Sequence, residues 1–268
     1  RDPLWSRGLG DVYKRQLAGV QAVAARSGRT FARHTHDQFG IGVMRLGAQV
    51  SHSGRGQVEA GPGQVITVNP GEVHDGAPIG GERAWQMLYL DPAVVADAAD
   101  GLPRSGGFEF EHPVIDAPAL AADVLALYAQ LTSHASPLAC DALLLRILAR
   151  TGVRALSATD TGMPAAIRHA VSLIDDAPAA ALSLADLAGA SGLSRFQVLR
   201  AFSRATGMTP HAYQLQRRLL LARSLLRQGT ALADAAAAAG FADQSHMTRL
   251  FSRAYGVSPG RYAQAAAD

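Results

Sequence analysis

The stretch GFADQSHMTRLFSRAYGVSPGRY, residues 240–262, is matched by an earlier stretch, GLSRFQVLRAFSRATGMTPHAY, at residues 192–213. In both, a Phe-Ser-Arg-Ala segment is followed by a glycine, a proline and a tyrosine at the same spacing. The repeat extends upstream to a Leu-Ala-Asp segment in each unit. Each unit therefore predicts a short helix, a turn containing Gly192 or Gly240, and a second helix. This is a helix-turn-helix arrangement, because glycine adopts turn geometries that other residues resist.

The second helix of each unit is predicted to have a core face and an outward face. The predicted core positions are Val198, Ala201, Phe202 and Ala205 in the first unit, and Met247, Leu250, Phe251 and Ala254 in the second. The outward positions are Arg195, Phe196, Leu199, Arg200 and Ser203, then Gln244, Ser245, Thr248, Arg249 and Ser252. Glutamine binds adenine, arginine binds guanine or phosphate, and apolar side chains contact thymine methyl groups. The alternative is a helical repeat whose polar faces only meet water.

The charge of the chain is unevenly distributed. Residues 163–268 carry eleven arginines and six acidic residues, a net charge of +5, whereas the remainder has a net charge of −2. A basic segment points to an anionic partner such as nucleic acid. Taken alone, an excess of this size favours a solvated helix surface. Two arginine-bearing repeats in the same segment favour DNA.

Residues 165–262 resemble the DNA-binding domain of AraC/XylS-family transcription regulators, and residues 240–262 look like the signature of that family. The resemblance implies two helix-turn-helix subdomains joined by one long helix, expected at residues 210–227. It also implies a set of DNA-contacting residues: Arg195, Phe196, Leu199, Arg200, Gln244, Ser245, His246, Thr248, Arg249 and Arg253. The apolar Phe196 and Leu199 depart from the family pattern, since they make the first unit poor in hydrogen-bonding side chains.

Residues 17–95 are predicted to form a small β-barrel or sandwich. Apolar runs at 39–46, 64–68 and 85–90 are bounded by turn signals. The signals are Gly54–Gly56, Gly61-Pro62-Gly63, Asn69-Pro70-Gly71 and Gly80-Gly81. Short strands at this spacing are typical of such folds.

From Pro118 the apolar spacing becomes helical, and Pro137 opens a second helix. The apolar stripes of these two predicted helices either cover the open face of the barrel or form a dimer seam. The predicted class is α+β with two domains. The predicted segments are a foreign or disordered leader at 1–16, a cupin-like effector-binding and dimerisation domain at 17–157, a linker at 158–164 and a DNA-binding domain at 165–268.

Three histidines of the first domain form a candidate site. Gly28, His34 and His36 match the opening of the cupin metal motif, and Pro70-Gly-Glu-Val-His74 resembles its second half. Alternate residues of a strand share a face, so His34 and His36 are expected to point the same way. Three imidazoles suit a divalent transition metal. However, the glutamate expected after His36 is missing and the second motif is shortened.

Residues 34–78 also look like the cupin-like effector domain that is common among AraC-type regulators. That resemblance implies a different role for His34, His36 and His74, which is to contact a small polar effector. Trp85 and Tyr89, four residues apart in a predicted strand, would share a face and supply an apolar wall. Metal binding and structural or effector-contacting roles therefore stay open as alternatives.

The sequence predicts a DNA-binding transcription regulator of the AraC type, controlled by a small effector bound in the N-terminal barrel. The expected partners are double-stranded DNA, the effector, a second copy of the chain and RNA polymerase, in the cytoplasm. No apolar run reaches the length of a membrane span, and no catalytic residue is expected. The alternative is a metal-dependent cupin enzyme fused to a DNA-binding domain. The single Cys140 excludes a disulfide framework and a cysteine-based alkyl-transfer repair regulator.

Overall fold

The structure is a computed structural model that describes residues 11–13, 19–99, 108–133, 136–151 and 163–267. The chain divides into two compact units between Ser157 and Ala158. The first unit combines a β-sheet with helices, and the second is helical throughout its described residues. The predicted α+β class is confirmed. Most of the predicted linker at 158–164 lies outside the described residues.

The strands of the first unit form one antiparallel sheet. They are β1 (Asp11–Tyr13), β2 (Val20–Ser27), β3 (Phe31–His34), β4 (Phe39–Ser53), β5 (Gly56–Ala60), β6 (Val65–Val68), β7 (His74–Leu90) and β8 (Val114–Ile115). The hydrogen-bonded order is β1-β2-β7-β4-β6-β8, with β3 also paired to β7 and β5 to β4. The leader predicted at 1–16 lies outside the described residues except for β1, which pairs with β2.

Strand β7 runs through Gly80 and Gly81, where the sequence predicted a turn. Its register with β4 shifts at this point, so that four residues of β7 face one residue of β4. Both glycines have positive φ, 69° and 139°, which lets the extra residues leave the ladder without ending the strand. The predicted turn is therefore wrong, and the two glycines form a bulge within one 17-residue strand.

Side chains of the two long strands alternate between the faces of the sheet. One face is buried against helices and includes Ile41, Val43, Leu88 and Leu90. The other face, called here the second sheet face, contains Met44 and Met87 with Trp85 and Tyr89 packed against them. The predicted apolar wall therefore lies on the side of the sheet that faces away from the helices.

The helices of the first unit are α1 (Pro92–Ala99), α2 (Pro118–Thr132) and α3 (Pro137–Arg150). The stripes predicted from sequence join the same core as the sheet: Leu120, Val124, Leu127, Leu131, Leu144, Ile147 and Leu148. These stripes therefore cover the sheet. The buried Asp123 of α2 pairs with Arg146 and Arg150 of α3, and these ion pairs join the two helices.

The second unit contains seven described helices: α4 (Ala165–Asp176), α5 (Leu184–Ser191), α6 (Arg195–Thr206), α7 (Pro210–Arg227), α8 (Leu232–Ala238), α9 (Gln244–Tyr255) and α10 (Pro259–Ala267). The long helix predicted at 210–227 is confirmed. Side chains of Ser194 and Asp243 accept hydrogen bonds from main-chain N–H groups in the first turns of α6 and α9, which fixes where both helices begin. In the described part of the chain, no helix has the length and apolar character needed to cross a membrane.

Most of the predicted core positions of α6 and α9 are confirmed. Val198, Phe202, Met247 and Phe251 are fully buried, whereas Ala201, Leu250 and Ala254 are half-buried. The prediction for Ala205 is wrong, because Ala205 lies in the last turn of α6 and is exposed. The buried side chain at that end of the unit is Met208, which follows the helix.

Helix α7 ties the two repeats together through main-chain carbonyl groups. Arg218 donates hydrogen bonds to the carbonyls of Pro178 and Gly240, at 2.8 and 2.7 Å, and thereby bridges the loop between α4 and α5 and the turn of the second repeat. Gln214 donates to the carbonyls of Pro178 and Ala180. Helix α7 therefore fixes the position of both helix-turn-helix repeats.

The two turn glycines give a matched test of this packing. An alanine Cβ at Gly240 would lie 2.8 Å from the backbone of Ala179, whereas at Gly192 it would meet nothing within 4 Å. Both glycines have positive φ. We expect Gly192→Ala to cost about 1–2 kcal/mol of unfolding free energy through backbone strain. Gly240→Ala should cost about 1–3 kcal/mol more through overpacking. Urea denaturation measures both, and equal losses would contradict the close approach.

Candidate functional site

Helix α6 exposes the stripe that sequence predicted to face DNA. Arg195, Phe196, Leu199 and Arg200 are all exposed, and Phe196 has 64% of its surface accessible. The guanidinium carbon of Arg200 lies 5.4 Å from the centre of the Phe196 ring. A cation and an aromatic ring are therefore held side by side on the outer surface of the helix.

Helix α9 exposes the corresponding stripe of the second repeat. Gln244, Ser245, Arg249 and Arg253 are exposed, whereas His246 and Thr248 are half-buried. The His246 ring packs edge-on against the ring of Phe241 at 5.6 Å. His246 therefore contributes to the packing of the unit, unlike the exposed residues around it.

Arg204 on α6 is an exposed residue that the sequence analysis did not include. It lies 49 residues before Arg253 and occupies the equivalent position in the first repeat. Both arginines are exposed near the C-terminal ends of their helices. The internal repeat was the signal that pairs them.

The pairing of strands β3 and β7, together with one main-chain hydrogen bond, brings the three histidines together. His34 ends β3 and His74 begins β7, and the two residues are partners in the register of these strands. His36 lies beyond the end of β3, so the prediction that His34 and His36 alternate along one strand is wrong. The N–H of Gly71 donates to the carbonyl of His36 at 2.7 Å, which holds the turn before His74 against His36.

The three imidazole rings lie in mutual contact. Ring centres are 4.9 Å apart for His34 and His36, 4.4 Å for His34 and His74, and 5.2 Å for His36 and His74. The ring of Tyr89 lies 5.1 Å from that of His36. Trp85 instead packs against Phe31 at 6.0 Å. The structure therefore brings Tyr89 to the histidines and places Trp85 elsewhere on the second sheet face.

Main-chain carbonyl groups fix the orientation of two of the rings. Nδ1 of His34 lies 2.8 Å from the carbonyl oxygen of Ala32, and Nδ1 of His74 lies 3.1 Å from that of Glu72. Because a carbonyl oxygen only accepts, Nδ1 carries the hydrogen in both rings. Nε2 of each neutral ring then has the lone pair.

Burial keeps these rings neutral. Desolvation, reinforced by the nearby His74, lowers the pKa of His34 to about 3. Desolvation also lowers the pKa of His74. Protonation would put two positive charges in contact in a poorly solvated place, so the neutral forms are favoured at pH 7.

The glutamate of the predicted second motif is committed to a different network. Glu72 pairs with Arg55 at 2.7 Å and accepts a hydrogen bond from the N–H of Asn69 at 3.0 Å. Arg55 also donates to the carbonyls of Thr67 and Phe110. These contacts fix the loop before β7, and they occupy Glu72 away from the three imidazoles.

Arg83 is a buried cation that the predicted site did not include. Its guanidinium donates to Oε1 of Gln49 and to the main-chain carbonyls of Arg29 and Gly76. It stacks over the Trp85 ring at 5.0 Å. Burial lowers the pKa of Arg83, yet a guanidinium remains charged at neutral pH. The second sheet face therefore carries a positive charge beside its aromatic wall.

The low pKa of His34 predicts how acid affects stability. Unfolded His34 takes up a proton below pH 6.5, whereas folded His34 does so only near pH 3. Its contribution to stability is therefore present above pH 6.5 and is lost as the pH falls towards 3, by up to about 1.4 kcal/mol per pH unit. Between pH 7 and 5, His34→Gln should show a shallower fall in unfolding free energy in urea denaturation with chelator present.

The control for this measurement is His112→Gln. The His112 side chain is 65% exposed, so its removal should leave the pH dependence of the wild type unchanged. If His34→Gln and the wild type fall equally steeply, His34 does not resist protonation in the folded state.

Two protein families match this chain. The AraC-like ligand binding domain family matches residues 18–148, and the helix-turn-helix domain family matches residues 187–265. The HTH-type transcriptional regulator YbfI of Bacillus subtilis is 27% identical over 224 residues, which cover 81% of each chain. The transcriptional activator RhaS of Pectobacterium carotovorum is 25% identical over 262 residues, covering 93% of this chain and 94% of that protein.

A solved structure shares the two-domain fold. ToxT of Vibrio cholerae, solved with a bound unsaturated fatty acid, superimposes with a TM-score of 0.57 at 12% identity. The match covers 91% of this chain and 94% of that one. The predicted arrangement of a sheet domain followed by a helical helix-turn-helix domain is thereby confirmed at the level of fold.

Proposed function

The chain belongs to the AraC family of transcription regulators, and from that membership we propose how its two domains divide the work. Helices α6 and α9 bind double-stranded DNA in a sequence-specific manner, and the sheet domain binds a small effector that controls this binding. The observation that carries the proposal is the exposure of equivalent arginine-bearing stripes on the second helix of both repeats. The regulators found as relatives support this function over that of a cupin enzyme.

DNA recognition is proposed to be bipartite within one chain. Each recognition helix enters a major groove, and the two grooves lie on one face of the duplex about 34 Å apart. The proposed contacts in the first groove are Arg195, Phe196, Leu199 and Arg200. The proposed contacts in the second groove are Gln244, Ser245, His246, Thr248, Arg249 and Arg253.

Arg249 gives the sharpest test of base reading. Arg249→Ala should cost about 1–3 kcal/mol of binding free energy on the specific operator and little on unrelated DNA, because a bidentate arginine contact discriminates between bases. Competition binding of labelled operator against both kinds of DNA, over a range of salt concentrations, measures this difference.

Arg168→Ala is the matched control for that experiment. Arg168 is an exposed arginine on α4, outside both recognition helices, so its removal subtracts the same charge from the same domain. An equal loss for Arg249→Ala on all sequences, with a shallower salt slope, would assign Arg249 to phosphate and refute base reading.

The effector site is proposed on the second sheet face. Three histidines offer polar contacts there (His34, His36 and His74), and Tyr89 and Trp85 offer an apolar wall. Imidazole nitrogens donate or accept hydrogen bonds, and the buried Arg83 carries a positive charge, so the proposed effector is small and carries a carboxylate or hydroxyl group. The protein itself is proposed to catalyse no reaction and to work in the cytoplasm. RNA polymerase is proposed as a further partner, through which a bound regulator acts.

A homodimer through α3 is also proposed. Beyond the stripe that covers the sheet, α3 has a second stripe at spacings of four, three and four residues: Leu138, Ala142, Leu145 and Ala149. All four are exposed, and Leu138 has 77% of its surface accessible. An exposed apolar stripe with this spacing is typical of a helix that packs against another helix.

The dimer predicts a specific response to charge on this stripe. Leu138→Asp combined with Leu145→Asp should convert the dimer to a monomer, because the two new carboxylates would be desolvated in the interface. Sedimentation at tens of micromolar measures the mass. Ala129→Asp, at an exposed position of α2, is the control and should stay dimeric. A double variant that remains dimeric would refute the α3 interface.

A further inference from the structure

The strongest unassigned chemistry in the chain is the mutual approach of three imidazoles. Candidate ligand nitrogens of His34, His36 and His74 all lie within 4.8 Å of one another. Across the described ranges, this is the single group of three or more histidine, cysteine or acidic side chains whose ligand atoms converge in this way. We propose that these three histidines bind one divalent transition-metal ion.

Main-chain hydrogen bonds orient two of the three proposed ligand rings and determine which ring nitrogen can bind a metal ion. The Nδ1–H groups of His34 and His74 donate to the carbonyl groups of Ala32 and Glu72, which leaves Nε2 with its lone pair. Metal-binding histidines almost always make such a second hydrogen bond, because it fixes the ring and increases the basicity of the ligand nitrogen. Two of the three proposed ligands, His34 and His74, therefore already make the outer contact that is typical of a metal-bound histidine.

The spacing of the three rings suits one shared ion. His34 and His36 are buried, and the centres of the three rings lie 4.4–5.2 Å apart, which brings one candidate ligand nitrogen of each ring to within 4.8 Å of the others. Nitrogens on one tetrahedral ion lie about 3.4 Å apart, so modest ring rotations suffice to close the site.

The donor set indicates which ions fit. The group contains three imidazoles and no thiolate, and the neighbouring Glu72 is held by Arg55. Imidazole suits zinc, copper, nickel and ferrous iron, whereas magnesium and calcium prefer oxygen. Three protein ligands also leave at least one position on the ion for water or a small molecule.

The first test measures the metal content of the protein in the absence of DNA and effector. A negative result therefore counts against the metal site alone and leaves the proposed effector response to be tested separately. The full chain, prepared without a polyhistidine tag, is stripped with chelator, loaded with Zn²⁺ and desalted. We expect one zinc per chain by elemental analysis. Zinc should also raise the melting temperature of the stripped protein, because it binds the folded state.

Single variants connect the ion to its ligands. His74→Gln and His36→Gln should each weaken Zn²⁺ binding about 100-fold or more in calorimetric titrations, since each removes one ligand. His112→Gln is the matched control, because its exposed imidazole lies in the same domain and outside the cluster. Binding that survives in both cluster variants, or that is lost equally in the control, would overturn the proposal.

A spectroscopic measurement needs no variant and covers the case in which a substitution prevents folding. X-ray absorption at the zinc edge of the loaded wild type should show three imidazole ligands at about 2.0–2.1 Å. Fewer than three imidazoles, or no stoichiometric zinc in the loaded wild type, would overturn the site.

Discussion

The backbone of Ala179 lies so close to Gly240 that a single added methyl group would approach it to 2.8 Å. This contact, together with the hydrogen bonds of Arg218 to Pro178 and Gly240, joins the two helix-turn-helix repeats into one unit. Two separately mobile repeats would lose much conformational entropy on binding DNA. A pair already fixed on α7 avoids much of that cost, which supports the proposed use of the exposed stripes of α6 and α9 as one DNA-reading surface.

In the sheet domain the corresponding constraint is the pairing of β7 with β3 and β4. The bulge at Gly80 and Gly81 lets one long strand serve two sets of partners, so its first residue reaches the end of β3 while its last residues lie in the helix-covered core. The histidine cluster depends on this path, because His74 comes opposite His34 only through the β3–β7 register. The Gly71–His36 hydrogen bond then adds the third ring.

Both domains contain a buried arginine that donates hydrogen bonds to oxygen atoms of the protein. Arg83 donates to three main-chain carbonyls and to the amide oxygen of Gln49, and Arg223 donates to the hydroxyl of Tyr262 in the second unit. A buried cation without such partners is strongly destabilising. These residues therefore specify how the surrounding segments pack, and Arg83 in addition leaves a positive charge close to the proposed effector site.

The sequence by itself determined the features that depend on local periodicity. The repeat determined both helix-turn-helix units, the long helix at 210–227 and the exposed arginines of α6 and α9, because helical spacing and turn glycines are readable within a few residues. Of the predicted outward positions, Ser203, Thr248 and Ser252 are half-buried. It also found His34, His36 and His74 through motif spacing. Only the tertiary structure decided what depends on contacts between distant segments. Strand register is set by partners that lie dozens of residues away along the chain. It decides four features: the Gly80–Gly81 bulge, the burial of Arg83, the ion pair of Glu72 with Arg55, and the position of Trp85 apart from the histidines.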